Sequence, residues 1–241
     1  MRAGRPTPHV DPRVTRRELL KLSPVLLLGG FAIPTVRDRW LAAGVAWSDR
    51  VSGLGYRTTH LASTFPDDDA VPFDRFPYNG YDVLEPAIDF DRWSLQVGGA
   101  VQRAGRYTLD RIRALPKVTQ NTRHVCVEGW DAIGRFTGAR LSDFLDLVGA
   151  DSQAGYITVT CADDYYESLD MATARQPQSL LCYDMYDRPL DRGHGAPLRL
   201  QLPTKLGYKQ AKYLMTLDVT HVLPTNRSYW GDQGYSWYGG L

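Results

Sequence analysis

The sequence predicts a mixed α+β domain with a substantial sheet region, strands outnumbering helices. Apolar runs of strand length recur from residue 92 onward, and helical periodicity is confined to two short stretches. The order of the two patterns has no steady strand–helix rhythm, so a βαβ architecture is not expected. At 241 residues there is room for one good-sized domain with appendages. A formal net charge of +1 and the lack of a basic low-complexity tract exclude nucleic acid as an expected partner.

The first element is an address. Arg2, Arg5, Arg13, Arg16 and Arg17 precede the apolar run "LSPVLLLGGFAI", the grammar of an export signal; the run is too short and too broken by Pro and Gly for a membrane span. "TRRELLKLS" resembles the twin-arginine motif through Arg16, Arg17, Leu19, Leu20 and Lys21. Residues 1–46 are therefore expected to be a twin-arginine export signal, or an N-terminal anchor if "GVA" at Gly44 to Ala46 is not cut. The export machinery is then a partner and the periplasm the destination. That route carries proteins already folded, often around a cofactor. Residues 47–72 read as a connecting segment and residues 73–241 as the domain.

Within the domain, "RWSLQVGGAV" reads as a strand. "TLDRIRALP" reads as a helix capped by Thr108 and stopped at Pro116. "ARLSDFLDLVGA" places Leu141, Phe144, Leu145 and Val148 on one helical stripe, with Gly149 as the stop. "GYITVTCADD" is the next strand. "LLCYDMYDRPL" and "APLRLQLP" form a strand–turn–strand unit, and "AKYLMTLDVTHV" is a further strand. The last stretch, "NRSYWGDQGYSWYGGL", is too aromatic for a disordered end and is expected to pack on the domain.

The cysteines are Cys126, Cys161 and Cys182, odd in number and without a C-x-x-C, which excludes a disulfide framework, a zinc ribbon and an iron–sulfur cluster. A free cysteine is usually a small buried hydrophobe, and Cys182 reads that way, as Cys161 does from its neighbours alone. Cys126 sits in "TRHVCVEGW" beside groups that lower a thiol pKa, Arg123 and His124. If this segment continues as a strand, His124, Cys126 and Glu128 share one face. Two uses of the sulfur compete: a Cys–His nucleophile working with His124 or His194, or a thiolate on a metal whose other ligands are not protein. The stretch from His194 to Leu214 adds Arg199, Lys205, Lys209 and Lys212 to "LGYK", where Gly207 lets backbone amides approach an anion such as a small-molecule phosphate. "FPYNGYDV" adds an Asn-Gly turn with Asn79 and Tyr81.

Taken together, "RHVCVEGWDAIGRFTG", "HGAPLRL" and "LGYKQAKYL", in that order, resemble the sulfite-oxidase-fold molybdopterin enzymes, near the branch of the periplasmic methionine sulfoxide reductase catalytic subunit. The resemblance runs from Phe76 to the C-terminus. It implies a sulfite oxidase-type mixed-sheet molybdopterin-binding domain with Cys126 as the thiolate on molybdenum, a soft ligand among cofactor sulfurs. It implies that Glu128 sits near the metal, that Arg123 and His124 steer the substrate, and that Asn79, Tyr81, Asp82 and Val83 line the pterin entry. His194, Arg199, Gly207, Tyr208 and Lys209 would hold the pterin and its phosphate. The reductase branch has Asn where His194 stands and Thr at Cys161, a further position on the pterin. The reaction implied is two-electron oxygen-atom transfer on a small S- or N-oxide or sulfite-like substrate. No haem motif is present, so a separate b-type or c-type cytochrome is expected to exchange the electrons. A monomer is expected, without an immunoglobulin-like dimerisation domain.

Overall fold

The computed structural model describes residues 34–55, 61–78, 86–225 and 228–241. The twin-arginine segment around Arg16 and Arg17, and Asn79, Tyr81, Asp82 and Val83, lie outside the described residues. The chain divides into two compact units, Met1–Trp47 and Ser48–Leu241. Helix α1 (Pro34–Gly55) precedes the sheets. Among the described residues no helix is long and apolar enough to cross a membrane.

Two five-stranded sheets build the larger unit. The first runs β3 (Lys117–Val125), β4 (Asp131–Arg140), β7 (Leu180–Met185), β8 (Arg188–Pro189), with β9 (Arg199–Gln201) also pairing β7. The second runs β2 (Gly105–Thr108), β1 (Ser94–Gly99), β10 (Leu214–Thr220), β5 (Tyr156–Cys161), β6 (Tyr166–Asp170). Every pairing is antiparallel except β1 with β10, which joins the first and last strands of the domain in parallel. Beyond Leu61 the helices are short, as the periodicity predicts; the 22-residue α1 lies outside that expectation, its last part falling in the stretch read as a connecting segment. Thr108 caps α2 (Leu109–Arg113) by accepting from the Arg111 amide at 3.3 Å. Gly149, left-handed at φ 65°, ends α3 (Leu141–Val148), whose buried stripe is Leu141, Phe144, Leu145 and Val148. Met171–Ala174 (α4) and Tyr229–Asp232 (α5) are single turns.

Strand β7 explains the layering. Leu181 and Tyr183 point into the main core, which gathers residues from both sheets and from α3; Leu180, Cys182 and Met185 point into a smaller core with Phe76, Phe136 and Leu190. A strand buried on both faces loses polar alternation, and β7 is apolar nearly throughout. Cys182 is thus the buried hydrophobe its neighbours suggested. The segment read as a connector packs onto the first sheet from Leu61 onward. Thr64 bridges Thr122, the Phe65 amide donates to Asn121 O at 3.1 Å, and the Val71 amide donates to Ile133 O at 2.9 Å.

Strands β4 and β7 approach closely at a register shift between Thr137 and Gly138. A Cβ on Gly138 would lie 2.2 Å from the carbonyl oxygen of Leu181, which is backbone and cannot swing aside. Gly138→Ala is therefore expected to destabilise the protein by about 1–3 kcal/mol, the range for overpacking a tight site. Urea unfolding would measure it, and an unchanged midpoint would mean that the two strands are looser than described.

Candidate active site

Strand β3 delivers the chemistry by stopping early. Beyond Val125 the backbone leaves the strand: the Cys126 amide donates to Trp130 O at 2.9 Å and the Gly129 amide to Cys126 O at 3.2 Å. Gly129 takes φ 93°, a left-handed value that residues with a Cβ rarely adopt. The expected strand alternation therefore fails past residue 125. Glu128 reaches Cys126 because the chain turns, not because the two share a strand face. The thiol donates to Glu128 Oε2 at 3.7 Å, and Trp130 Nε1 donates to the same oxygen at 3.1 Å.

This turn forms one wall of a cleft of about 540 Å³. The β5–β6 loop supplies Asp163, Asp164 and Tyr165; the stretch between β9 and β10 supplies Gly207, Tyr208, Gln210 and Lys212; and the C-terminal segment supplies Tyr229, Trp230 and Tyr235. The floor holds a buried cation. Arg199 is almost wholly buried and donates to two backbone carbonyls, His194 O at 3.0 Å and Leu200 O at 3.3 Å. No described carboxylate pairs with it, and burial holds its pKa below the usual arginine value. A desolvated guanidinium without an anion is costly.

His124 stacks on Trp130, with ring centroids 5.7 Å apart and planes at 27°. A Cβ on Gly207 would come within 2.7 Å of His124 Nε2, so the glycine is what lets the ring lie there. Burial, and then the charge of Arg199, lower the His124 pKa to about 3, so the imidazole is neutral. Among the described residues neither its Nδ1 nor Oε1 of Gln210 has a partner at full hydrogen-bond geometry, although the two side chains lie close enough for Gln210 to raise the His124 pKa slightly against the larger lowering effects. Burial pushes the Cys126 thiol up, and Glu128's negative charge also disfavours the thiolate. A buried guanidinium without a described carboxylate, and buried polar atoms of His124 and Gln210 without a described partner, line the same cleft as the Cys126 thiol and fit a polar, anionic cofactor that carries a metal. A metal cage made of protein does not fit, because no described cluster of His, Cys, Asp and Glu could hold an ion.

The cleft gathers His124, Cys126, Glu128, Arg199, Gly207 and Tyr208 from the residues read in the sequence. Four others do not line it. Arg123 is on the far side of β3, paired with Asp131 at 2.6 Å. Cys161 is buried in the main core at the end of β5. The His194 ring is held by Asp191 at 2.7 Å and packs among Phe73, Phe76 and Tyr78; only its carbonyl meets Arg199. Lys209 turns back to Glu167 at 2.5 Å and to Ser168 O at 2.9 Å, in a pair with almost no exposure. A cysteine-nucleophile hydrolase using either histidine is not supported, since His124 is too weakly basic and His194 does not line the cleft.

Asp163, Asp164 and Gln210 line the cleft without belonging to any motif named above, and the aromatic tail, expected to pack on the domain, also walls the cleft. The doubled aspartate between two strands was the available signal: Asp164 takes φ 61° in that turn.

A family profile described as the oxidoreductase molybdopterin binding domain matches residues 83–230. This chain belongs to that family. It is 42% identical over 234 residues to the putative protein-methionine-sulfoxide reductase subunit YedZ1 of Azospira oryzae, covering 93% of this chain and 87% of the relative. It is 28% identical over 206 residues to the protein-methionine-sulfoxide reductase catalytic subunit MsrP of Xanthomonas axonopodis pv. citri, spanning 77% of this chain and 63% of that relative. The crystal structure of sulfane dehydrogenase SoxCD from Paracoccus pantotrophus superposes with a TM-score of 0.53 at 18% identity, over 56% of this chain and 40% of that one. The likeness to SoxCD bears on the fold, which is the mixed-sheet type of the family. Membership makes the chain an oxidoreductase with a molybdenum–molybdopterin cofactor, and the cleft around Arg199 fits such a group.

Two outcomes follow from the site. The native His124 takes a proton only near pH 3, whereas the unfolded chain takes it near the ordinary value of 6.5. Protonation thus favours the unfolded state: stability tied to this residue is complete above pH 6.5 and is lost as pH falls toward 3. His124→Gln is expected to flatten the acid limb of a urea-derived stability curve over that interval. Burial already raises the Glu167 carboxyl pKa to about 7 with Lys209 holding it down, so Lys209→Met would leave it protonated; the lost hydrogen bonds to Glu167 and Ser168 O are expected to cost about 1–3 kcal/mol, and the double change with Glu167→Met recovers most of it. A cofactor-holding Lys209 would instead lose cofactor without that recovery.

Proposed function

We propose that this chain is an exported reductase of S- or N-oxides, its molybdenum held by Cys126 as the protein thiolate. The observation that carries this reading is a cleft lined both by the buried Cys126 thiol and by Arg199, a buried guanidinium that no described carboxylate pairs. A metal bound there draws its remaining ligands from the cofactor, and coordination to a metal offsets the raised thiol pKa. When bound, the cofactor supplies two-electron redox chemistry with movement of an oxygen atom.

The protein's own part is to hold and to shape. Arg199, with the neutral His124, Gly207, Tyr208 and Gln210, would hold the pterin and its phosphate; Arg199 supplies the charge and Gly207 the close approach. Glu128 stands next to the thiol with its carboxylate fixed by Trp130, placed to hold a proton at the reacting face. Asp163, half-buried in the same cleft, has its carboxyl pKa pushed up by burial. Glu128, Asp163 and Asp164 line the cleft together with Arg199 and Lys212, so a neutral oxide would meet no net repulsion on entering it. The names of the Azospira and Xanthomonas relatives, both methionine sulfoxide reductase subunits, favour the same direction.

Residues 73–241 would form the catalytic domain, and residues 1–46 the twin-arginine signal that delivers it to the periplasm or anchors it there. With no haem-attachment motif in the chain, electrons would come from a separate cytochrome, b-type in the membrane or c-type in solution. Metal analysis of protein made in a host that synthesises molybdopterin tests the centre. Near-stoichiometric molybdenum is expected in the wild type, with a changed metal spectrum and no oxide reduction in Cys126→Ala. Well-folded wild type without molybdenum would sink the reading.

A further inference from the structure

Helix α1 carries a feature that the chemistry of the cleft leaves unused. Pro34 opens it, and apolar residues recur along one side, Val36, Trp40, Ala43 and Trp47, at spacings of four, three and four. Trp40 and Trp47 are 55% and 68% exposed, and Leu41 beside them is 53% exposed. The other tryptophans, Trp93, Trp130, Trp230 and Trp237, are all buried or half-buried. Arg37 and Arg39 are exposed and flank the stripe, one on each side of Trp40. Among the described residues no helix is long and apolar enough to cross a membrane, so α1 does not span one.

We infer that α1 is an interfacial helix that binds the surface of an anionic phospholipid bilayer, with its axis in the membrane plane. Indole rings favour the headgroup level, where the ring meets apolar chains and its N–H meets water. Arginines beside an apolar stripe reach the phosphates while their stems lie along the acyl boundary. Each cation near an anionic surface adds to the affinity. A second copy of this chain fits the stripe less well. Two half-exposed indoles offer roughly 300 Å² of ring surface, against about 800 Å² per partner in a stable interface. A fluid bilayer needs no such area and no matching shape. The inference goes beyond the proposed oxide reduction and does not depend on it. It does bear on the export signal: Gly44 to Ala46, the candidate cut, lies inside α1, so the helix persists only in a chain left uncut there.

The test uses the full chain, as wild type, as Trp40→Ala with Trp47→Ala, and as Arg37→Gln with Arg39→Gln. Each is sedimented with vesicles of phosphatidylglycerol and phosphatidylethanolamine, and with vesicles of phosphatidylcholine alone. The wild type is expected to bind the anionic vesicles and to have its tryptophan fluorescence quenched by brominated lipid. Loss of both tryptophans is expected to weaken binding about tenfold or more and to remove most of the quenching. Loss of both arginines is expected to weaken binding to the anionic vesicles about tenfold and to leave the phosphatidylcholine result unchanged. The urea midpoint and molybdenum content stay as in the wild type. Binding that survives the loss of both tryptophans would assign it to the arginine-rich apolar stretch before Pro34 and overturn the inference. A lowered urea midpoint would mean that the stripe packs on the domain, and a change in oligomeric state that it packs on a second copy; either is against it. Protein recovered from the periplasm with its N-terminus beyond Ala46 would overturn it as well, and none of these outcomes touches the assignment of the redox centre.

Discussion

The site depends on where the pairing of β3 with β4 ends. Their register runs unbroken from Lys117 opposite Ala139 to Val125 opposite Asp131, and the next residue is Cys126. Nine ordered pairs hold the strand rigid up to that point, and the turn that follows is short enough to inherit the rigidity. The thiol, Glu128 and Trp130 are thereby fixed relative to the sheet without a loop that must be ordered later. Every other wall of the cleft is brought to this turn. The β9–β10 stretch comes with Gly207 against His124, and the C-terminal segment comes through its hydrogen bonds to Tyr208 and Ser168.

Charge is divided between two buried places that behave oppositely. Beneath the C-terminal segment, Lys209 and Glu167 neutralise each other, so that region is complete within the protein. In the cleft, Arg199 donates to two backbone carbonyls, and among the described residues no carboxylate pairs with it, so that region is left open to an anion. The two lie in one continuous stretch of sequence, both rich in basic residues, and only their surroundings tell which is structural and which awaits an anion.

That difference marks what could be read from the chain. The α3 stripe, the Thr108 cap and the strands around Cys161 and Leu217 were legible because each rests on local spacing. The motif around Cys126 was legible as chemistry, but its geometry was not, because period-two reasoning cannot tell that Gly129 turns the chain. Lys209 and Arg199 look alike in sequence; their roles separate only when β6 brings Glu167 to one and not the other. The aromatic tail was legible as packed, and its second face, turned into the cleft, depends on where β5 and β6 end. Asn79, Tyr81, Asp82 and Val83 rest on the motif alone.

The parallel pairing of β1 with β10 carries a further consequence. It joins Gln96–Gly99 to Thr216–Val219, so the middle of the second sheet is assembled from opposite ends of the domain. Closing a loop of that length comes before the contacts that reward it, which makes folding slow and gives no partial stretch of the domain an independent minimum. A polypeptide lacking either end would keep two sheet edges open, to be recognised as unfinished by chaperones and proteases. For a domain whose last segment also walls the cleft, quality control of the fold and readiness for a cofactor become the same event.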